Sequence, residues 1–541
     1  MTAATFDDEI PRPAPPPAPP VGNPWIAAMS EKRKFALFAV MAFGQFMALL
    51  DIQIVAGSLN SIQAGLSAGP DEIAWVQTAY LMAEIVMIPL AGFLSMAIST
   101  RWLFAASAGL FTLSSMLCGL AWDIDSMIFF RALQGFTGGA MVPTVFATGF
   151  QLFQGPKQAM IPAILGMVST LAPTLGPSLG GWITDAASWR WIFFMNIAPG
   201  IAVTLLIPIL GKVDDAKPAM LRKIDWVHLA GLAVFLGALQ YMLEEGPRHE
   251  WFTDTAVAGA AWLSFVGMLV FFERSFFSKF PIVSLAPLQN PTFGMACVLN
   301  FVIGFGLYGA TYLVPVFLGR VRGYSSMEIG TTVFVAGCFM FFGAPIAASL
   351  SRKVDPRYVI GVGFSLFALG LFLLSGISKD WGFNELLWPQ AVRGFAILLC
   401  IVPAVSLSLS TVAPEQLKSA SGLFNVCRNL GGAVGIALVN TWLQDFTRGH
   451  VLSLSEAMGT DPAAGQQMLA GLSALFGRVT PDPEIALAMA QSEMGRVVVQ
   501  QALTMAFQDV FMLMSGLFVC ALVLVPFCKI RRDAPVPADA H

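Results

Sequence analysis

From about residue 35 to 528 the chain is a succession of apolar stretches of some twenty residues, set between short polar segments. A helix of about twenty residues is what it takes to cross the ~30 Å hydrocarbon core of a bilayer. Fourteen stretches meet that length, at about 35–57, 73–97, 102–121, 126–150, 159–184, 190–211, 226–243, 256–275, 293–319, 328–350, 357–377, 386–412, 418–441 and 504–528. The expected fold is all-α and integral to a membrane, with fourteen transmembrane helices and the lipid bilayer as its surroundings. Composition agrees, since 44 Phe outnumber 33 Asp and Glu and 56% of residues are hydrophobic, more apolar surface than soluble domains hide. A net charge of −3 supplies no basic field, which excludes nucleic acid as a partner.

Lys and Arg set the orientation, because they accumulate on the cytoplasmic side of short loops. With the amino terminus inside, eighteen of them fall on the cytoplasmic side, among them Lys32, Arg33, Lys34, Lys212 and Lys418, against eight outside. Both termini are therefore expected in the cytoplasm. Residues 1–34, with seven prolines between Pro11 and Pro20, read as a disordered cytoplasmic tail, and 529–541 as a second tail. The one long outer loop, 442–503, is polar enough to leave the membrane. Within it Gly465 to Phe476 and Glu484 to Gln500 carry apolar residues at three and four spacing, predicting two short helices on the outer surface. That surface reads as a lid or as a docking site for a partner.

An internal repeat organises the spans. Ala132-Leu-Gln-Gly-Phe136 recurs as Ala391-Val-Arg-Gly-Phe395, an offset of 259, and Leu179-Gly-Gly181 recurs as Leu430-Gly-Gly432, an offset of 251. The agreement pairs spans 1–6 with spans 9–14 around an inserted pair, a six plus two plus six plan in which two like halves enclose a central pathway. The halves then occupy 35–211 and 293–528, with the inserted helices and their loops at 212–292.

Ionisable residues inside spans are few, and each costs about 3 kcal/mol or more at mid-bilayer unless it faces protein or water. Asp51 lies about seven residues, roughly 10 Å, below the outer end of span 1, and Arg131 roughly 8 Å below that of span 4. Opposite charges at one depth in one half make a pair, either a static bridge or one that reports protonation of Asp51. Glu84, near the midplane of span 2, has no charged neighbour one turn away, and reads as a proton carrier, a receptor for cationic cargo or a neutral interhelical bond. Arg393 and Arg428 in the second half have no mid-depth carboxylate beside them. They favour anionic or carbonyl-bearing cargo, or bond to helix-end carbonyls. Polar and aromatic residues at mid-span that would line a substrate cavity are Gln45, Gln77, Tyr80, Asn300, Tyr308, Tyr312, Asn425 and Arg428.

Span 5 reads Gly166-Met-Val-Ser-Thr-Leu-Ala-Pro173-Thr-Leu-Gly176-Pro177-Ser-Leu-Gly180-Gly181, a density of Gly and Pro that in a membrane permits close backbone approach and a bend sealing one end of the pathway. The cysteines (Cys118, Cys297, Cys338, Cys400, Cys427, Cys520, Cys528) all fall in apolar runs and read as small core residues. His228, His249, His450 and His541 are scattered, with no metal-ligand spacing, so no metal or cofactor is expected.

Phe130-Arg131-Ala-Leu-Gln134-Gly135, with Gly138, Gly139 and Pro143, resembles the Arg-containing fourth-span motif of the major facilitator superfamily. Gly176-Pro177-Ser-Leu-Gly180-Gly181 resembles its antiporter motif. Leu50-Asp51-Ile-Gln-Ile-Val and Trp189-Arg190-Trp191-Ile-Phe-Phe-Met-Asn196 resemble the first-span and sixth-span motifs of the fourteen-span drug:proton antiporters of the EmrB/QacA type. The resemblance covers about 35 to 528. It implies export of hydrophobic or amphipathic drugs, driven by a proton gradient through rocking halves, with Asp51 and Arg131 as coupling residues. In a two-membrane cell it also implies the inner membrane as location, a periplasmic adaptor of the EmrA type and an outer-membrane channel. The alternatives are an importer or a metabolite-specific exporter on the same fold; a membrane-embedded enzyme would show an Asp-rich or His-rich cluster. The loop after span 2, normally Gly-x-Leu-Ala-Asp-Arg-x-Gly-Arg, departs from the family pattern: Gly92-Phe-Leu94-Ser-Met96-Ala97-Ile-Ser99-Thr-Arg101 lacks the acidic and the first basic member, leaving Arg101 as the expected gating residue.

Overall fold

A computed structural model describes residues 24–527 apart from 155, 156, 159, 279, 461 and 481. Among them are eighteen α-helices and no strand: α1 (Pro24–Ala27), α2 (Glu31–Leu66), α3 (Pro70–Ile98), α4 (Thr100–Gly119), α5 (Ile124–Gly138), α6 (Met141–Leu152), α7 (Met160–Ala186), α8 (Trp191–Phe194), α9 (Ile197–Leu210), α10 (Trp226–Glu245), α11 (Thr255–Phe277), α12 (Pro291–Arg320), α13 (Ser326–Lys353), α14 (Pro356–Leu374), α15 (Phe383–Leu409), α16 (Leu417–Thr460), α17 (Pro462–Phe476) and α18 (Pro483–Ala521). Helix starts follow local chemistry. Asp123, Asp225, Asp254, Asn290, Ser325, Asp355 and Asp482 each accept a bond from a backbone N–H of the first turn, satisfying donors that the helix leaves free.

Among the described residues, twelve helical segments are long and apolar enough to cross a membrane. The stretches expected as spans 4 and 5 fall outside that twelve. The first is divided into α5 and α6 around Gly138 and Gly139. There the chain meets α3, and a Cβ on Gly139 would lie 2.7 Å from the Glu84 carbonyl oxygen. The second is α7, which runs as one helix through Gly176 and Gly180.

Other boundaries also shift. Helix α2 continues to Leu66, so Asp51 stands fifteen residues, about 22 Å, from its outer end rather than seven. Residues 24–27 and 31–34, expected as tail, are helical, and the run at Pro11 to Pro20, the tail at 529–541 and Cys528 lie outside the described residues. In the outer segment α17 stands where the first short helix was expected. The second is the outward end of α18, and residues 442–460 extend α16 without a break. No proline interrupts either run, so the bonded ladder of each span continues past the apolar boundary.

The first half packs α2 on α7, α3 on α5 and α4 on α9; the second packs α12 on α16, and α15 on α13 and α14. Between halves α3 and α6 meet α16, and α7 meets α13 and α15. The pair α10 and α11 packs on itself and reaches the bundle through α3 and α16.

A buried ion-pair cluster as the candidate functional site

Asp51 and Arg131 meet inside the first half, both with no exposed side chain. Arg131 Nη1 donates to Asp51 Oδ2 at 2.5 Å and to Gln134 Oε1 at 2.8 Å, and its Nε donates to the Val76 carbonyl at 3.2 Å. Gln134 Nε2 and Asn196 Nδ2 donate to Asp51 Oδ1 at 3.0 and 2.8 Å. Asn196 also donates to Ser115 Oγ at 3.0 Å, whose hydroxyl donates to the Phe193 carbonyl at 2.9 Å. The Tyr80 ring lies under the guanidinium, 4.3 Å from its carbon, a favourable cation–π placement.

Close backbone approach makes this geometry possible. A Cβ on Gly135 would lie 2.2 Å from the Tyr80 carbonyl oxygen, so only glycine lets α5 come near enough to α3. On the far side of α2, Cβ atoms on Gly176 and Gly180 would meet Gln53 at 2.3 Å and the Ile54 carbonyl at 2.6 Å. Gly181 lies in α7, as does Pro177, whose side chain is outside the described residues.

The ionised form of Asp51 is fully used: both oxygens accept bonds from three side chains. A proton arriving there replaces one of those donors, so protonation has to loosen the link from α2 to α5 or to Asn196. That coupling of proton to helix contact is what the cluster can do chemically. Asn196 belongs to it although the sequence showed it only inside a motif.

Glu84 is buried on α3. Arg428 Nη2 donates to Asn425 Oδ1 at 2.7 Å, with its guanidinium 5.5 Å from the Phe146 ring of the first half. It thus bonds a neighbouring side chain and not a helix-end carbonyl. Asn300 Nδ2 donates to the Phe424 carbonyl at 2.6 Å, and Gln45 Nε2 to Ser169 Oγ at 3.1 Å. Gln45, Tyr80, Asn300 and Asn425 are wholly buried; Tyr308 packs on Gly432, and Gln77 is half-buried with an unbonded Oε1. Tyr312 stands apart, in a separate cavity where α10 and α12 end. Of the cysteines, Cys520 is exposed on α18 and not a core residue.

At the opposite end the halves are joined by residues the motifs did not include. Asp214, in the segment after α9, accepts from Ser99 Oγ at 2.7 Å, Thr100 N at 2.9 Å and Thr100 Oγ1 at 2.5 Å, and pairs with Lys418 of α16. Lys418 also donates to the Ser95 carbonyl at 3.1 Å. Burial alone would raise the Asp214 carboxyl, but Lys418 and the bonds from Thr100 and Ser99 outweigh it and hold it below the usual carboxylate range. Ser99 stands at φ 77°, a conformation that costs a non-glycine residue about 1–3 kcal/mol, and Asp214 braces it there. Arg101 is not part of this bridge; its guanidinium lies over Trp102.

The helices are long and apolar enough to cross a membrane, lock a carboxylate and an arginine in the interior, and are joined across the two halves by a charged bridge. The sequence profile described as Major Facilitator Superfamily matches residues 41–436, and the chain belongs to that family. It is 41% identical over 496 residues to the Acinetobacter baumannii "Colistin resistance protein EmrB", covering 91% of this chain and 96% of that protein. It is 27% identical over 490 residues to the Escherichia coli "Multidrug export protein EmrB", and 28% over 486 to the Neisseria gonorrhoeae "Fatty acid resistance protein FarB", each match covering 90% of this chain and 94% of the relative. The crystal structure of the human organic anion transporter MFSD10 shares the fold, with a TM-score of 0.57 at 15% identity over 92% of this chain and all of that one. The chain is a multi-pass protein of the inner membrane, grouped with EmrB-type exporters.

Proposed function

We propose that this chain is a proton-coupled multidrug exporter that moves hydrophobic and amphipathic compounds outward by alternating access of two six-helix halves. The observation that carries the reading is the closed bonding of Asp51 to Arg131, Gln134 and Asn196, a buried carboxylate whose protonation must alter contacts between helices. Glu84, buried on α3, is a second carboxylate inside the bundle and serves the proton or a cationic cargo. The proton gradient is the energy source, with no cofactor. Support for a fourteen-span, six plus two plus six plan with both termini cytoplasmic comes from the twelve long helices, the α5–α6 and α7 segments beside them, and the Lys and Arg distribution.

Rocking needs each end to close in turn. The Asp214–Lys418 bridge, with Ser421 donating to the Pro143 carbonyl at 2.7 Å, closes the cytoplasmic end, and Asp214 supplies from the span 6–7 segment the carboxylate that the loop after span 2 lacks. Outside, the extended ends of α16 and α18 with α17 present Leu475, Ile485 and Leu487 to solvent, a surface suited to a periplasmic adaptor that leads to an outer-membrane channel.

The deciding experiment is efflux of a fluorescent drug from proteoliposomes under an imposed pH gradient. Asp51→Asn keeps shape and removes ionisation, so gradient-driven efflux stops while insertion is kept; full activity of this variant would refute the reading.

A further inference from the structure

A cavity of about 430 Å³ opens where α10 and α12 end, against residues 436–448 of α16 and Leu503 of α18, with no residue of the first half or of the Asp51 cluster in its lining. Its volume falls in the range of small-molecule sites, about 300–1,000 Å³. The lining is divided. Leu243, Ile436, Leu443 and Leu503 make an apolar wall, while Arg248, Arg320 and Arg448 stand against a single carboxylate, Glu244. The arginines are not equally engaged. Arg448 pairs with Glu250 at 2.9 Å and Arg248 approaches Glu245 at 3.8 Å, but Arg320, in the last turn of α12, forms no ion pair among the described residues. Tyr312 donates its hydroxyl to Asn440 Oδ1 at 2.7 Å, which leaves the Asn440 amide nitrogen as a donor in the lining.

A guanidinium presents a planar fork of donors matched to carboxylate and phosphate oxygens. A guanidinium without an ion pair, Arg320, on one side and aliphatic side chains on the other suit a molecule with an anionic head and an apolar body. The cavity lies where α10 and α12 end, at headgroup level, so that such a molecule enters from the outer leaflet or from the outer solution.

We propose that this outer cavity is a binding site for an anionic amphipath, with the carboxylate or phosphate held by Arg320 beside Arg248 and Arg448 and the apolar part on the Leu243–Leu503 wall. Binding is independent of transport, so the site stands or falls without reference to Asp51. Two sources share this chemistry, an anionic phospholipid and a free carboxylate amphipath.

The test titrates the purified full chain, in phosphatidylcholine nanodiscs and without a proton gradient, with octanoate and with octylammonium. Octanoate binds in preference to octylammonium; Arg320→Gln weakens it about tenfold, the loss of one charge-assisted contact, and Arg320→Lys restores part of the affinity. Unfolding temperatures of the variants are measured alongside, and Arg448→Gln gives a second removal of charge should Arg320→Gln be unstable. In nanodiscs containing phosphatidylglycerol, weakened octanoate binding and retained lipid by native mass spectrometry assign the site to a headgroup; unchanged octanoate binding assigns it to free amphipaths. Equal affinity for octanoate and octylammonium, or octanoate affinity indifferent to loss of both Arg320 and Arg448, would overturn the proposal.

Discussion

Gly135 in the first half and Gly394 in the second stand at matching places: a Cβ on either would lie 2.2 Å from the Tyr80 carbonyl oxygen or 2.3 Å from that of Ala336. Gly180 and Gly431 match in the same way, against the Ile54 carbonyl at 2.6 Å and the Phe301 carbonyl at 2.0 Å. The backbone scaffold is thus repeated, and the polar residues on it are not. One helical turn before Gly135, Arg131 bonds through Nη1 to Asp51 and Gln134 and through Nε to the Val76 carbonyl; the corresponding Gln390 is buried with neither side-chain polar atom bonded. Gln134 corresponds to Arg393, whose Nε is also without a partner. Asp51, three residues before Ile54, corresponds to the exposed Val298, three before Phe301, and α12 carries no acidic residue at all. The glycine packing is duplicated, while the bonded carboxylate–guanidinium pair stands in the first half.

The largest effect should come from breaking the charge cluster. Arg131→Met leaves the Asp51 carboxylate buried and unpaired, a loss of about 3–5 kcal/mol, while Arg393→Met strands no carboxylate and costs far less. Thermal unfolding of the two purified variants checks this; equal losses would mean that Arg393 has a partner of matching strength and that the asymmetry is wrong.

Glycine replacements probe the shared part. Gly135→Ala and Gly394→Ala each force a methyl group onto a carbonyl oxygen, and each should cost about 1–3 kcal/mol as overpacking. The prediction is similarity, and a half that accepts alanine without loss would break the correspondence between them.

A smaller change is expected at the bridge. Asp214→Asn removes a partly buried pair worth about 1–2 kcal/mol, between the values of exposed and buried pairs, and should raise labelling of cysteines introduced at the ends of α3 and α16 beside the bridge. Because the folded carboxyl is held below its usual value of about 3.9, the bridge is complete above that value and weakens only as pH falls through the lower folded one. Labelling controlled by Asp214 should therefore be flat between pH 5 and 8, and a pH dependence there that vanishes in Asp214→Asn would contradict its place in the bridge.

What could be seen in the sequence follows from what the bilayer penalises. Asp51 and Arg131 were conspicuous because charge inside an apolar run is costly, and the glycine repeats because few residues allow helices to touch. The depth arithmetic placed the two charges level for the wrong reason: span 1 runs to Leu66, and apolar composition marks the hydrocarbon boundary, not the end of a helix. The outer ends of α16 and α18 were misjudged by the same confusion, since polar residues end a span without ending a helix. Asp214 and Lys418 stood in polar segments 204 residues apart, where charge costs nothing locally and only the folded chain brings them together.

The smallest expected effect is the sharpest test of the asymmetry. Gln134 and Gln390 are both glutamines, both buried and both on the helix that carries the repeated glycine. Gln134→Leu removes an acceptor for Arg131 and a donor to Asp51, so two charged groups lose a bond, and the cost is about 1.5–3 kcal/mol. Gln390→Leu removes an amide whose oxygen and nitrogen have no partner, and an apolar group of similar size then no longer carries the desolvation penalty. That variant should unfold within about 1 kcal/mol of the parent or above it, with drug efflux unchanged. If Gln390→Leu instead abolishes efflux in a stable protein, its amide meets cargo or a proton during the cycle, and the second half carries chemistry after all.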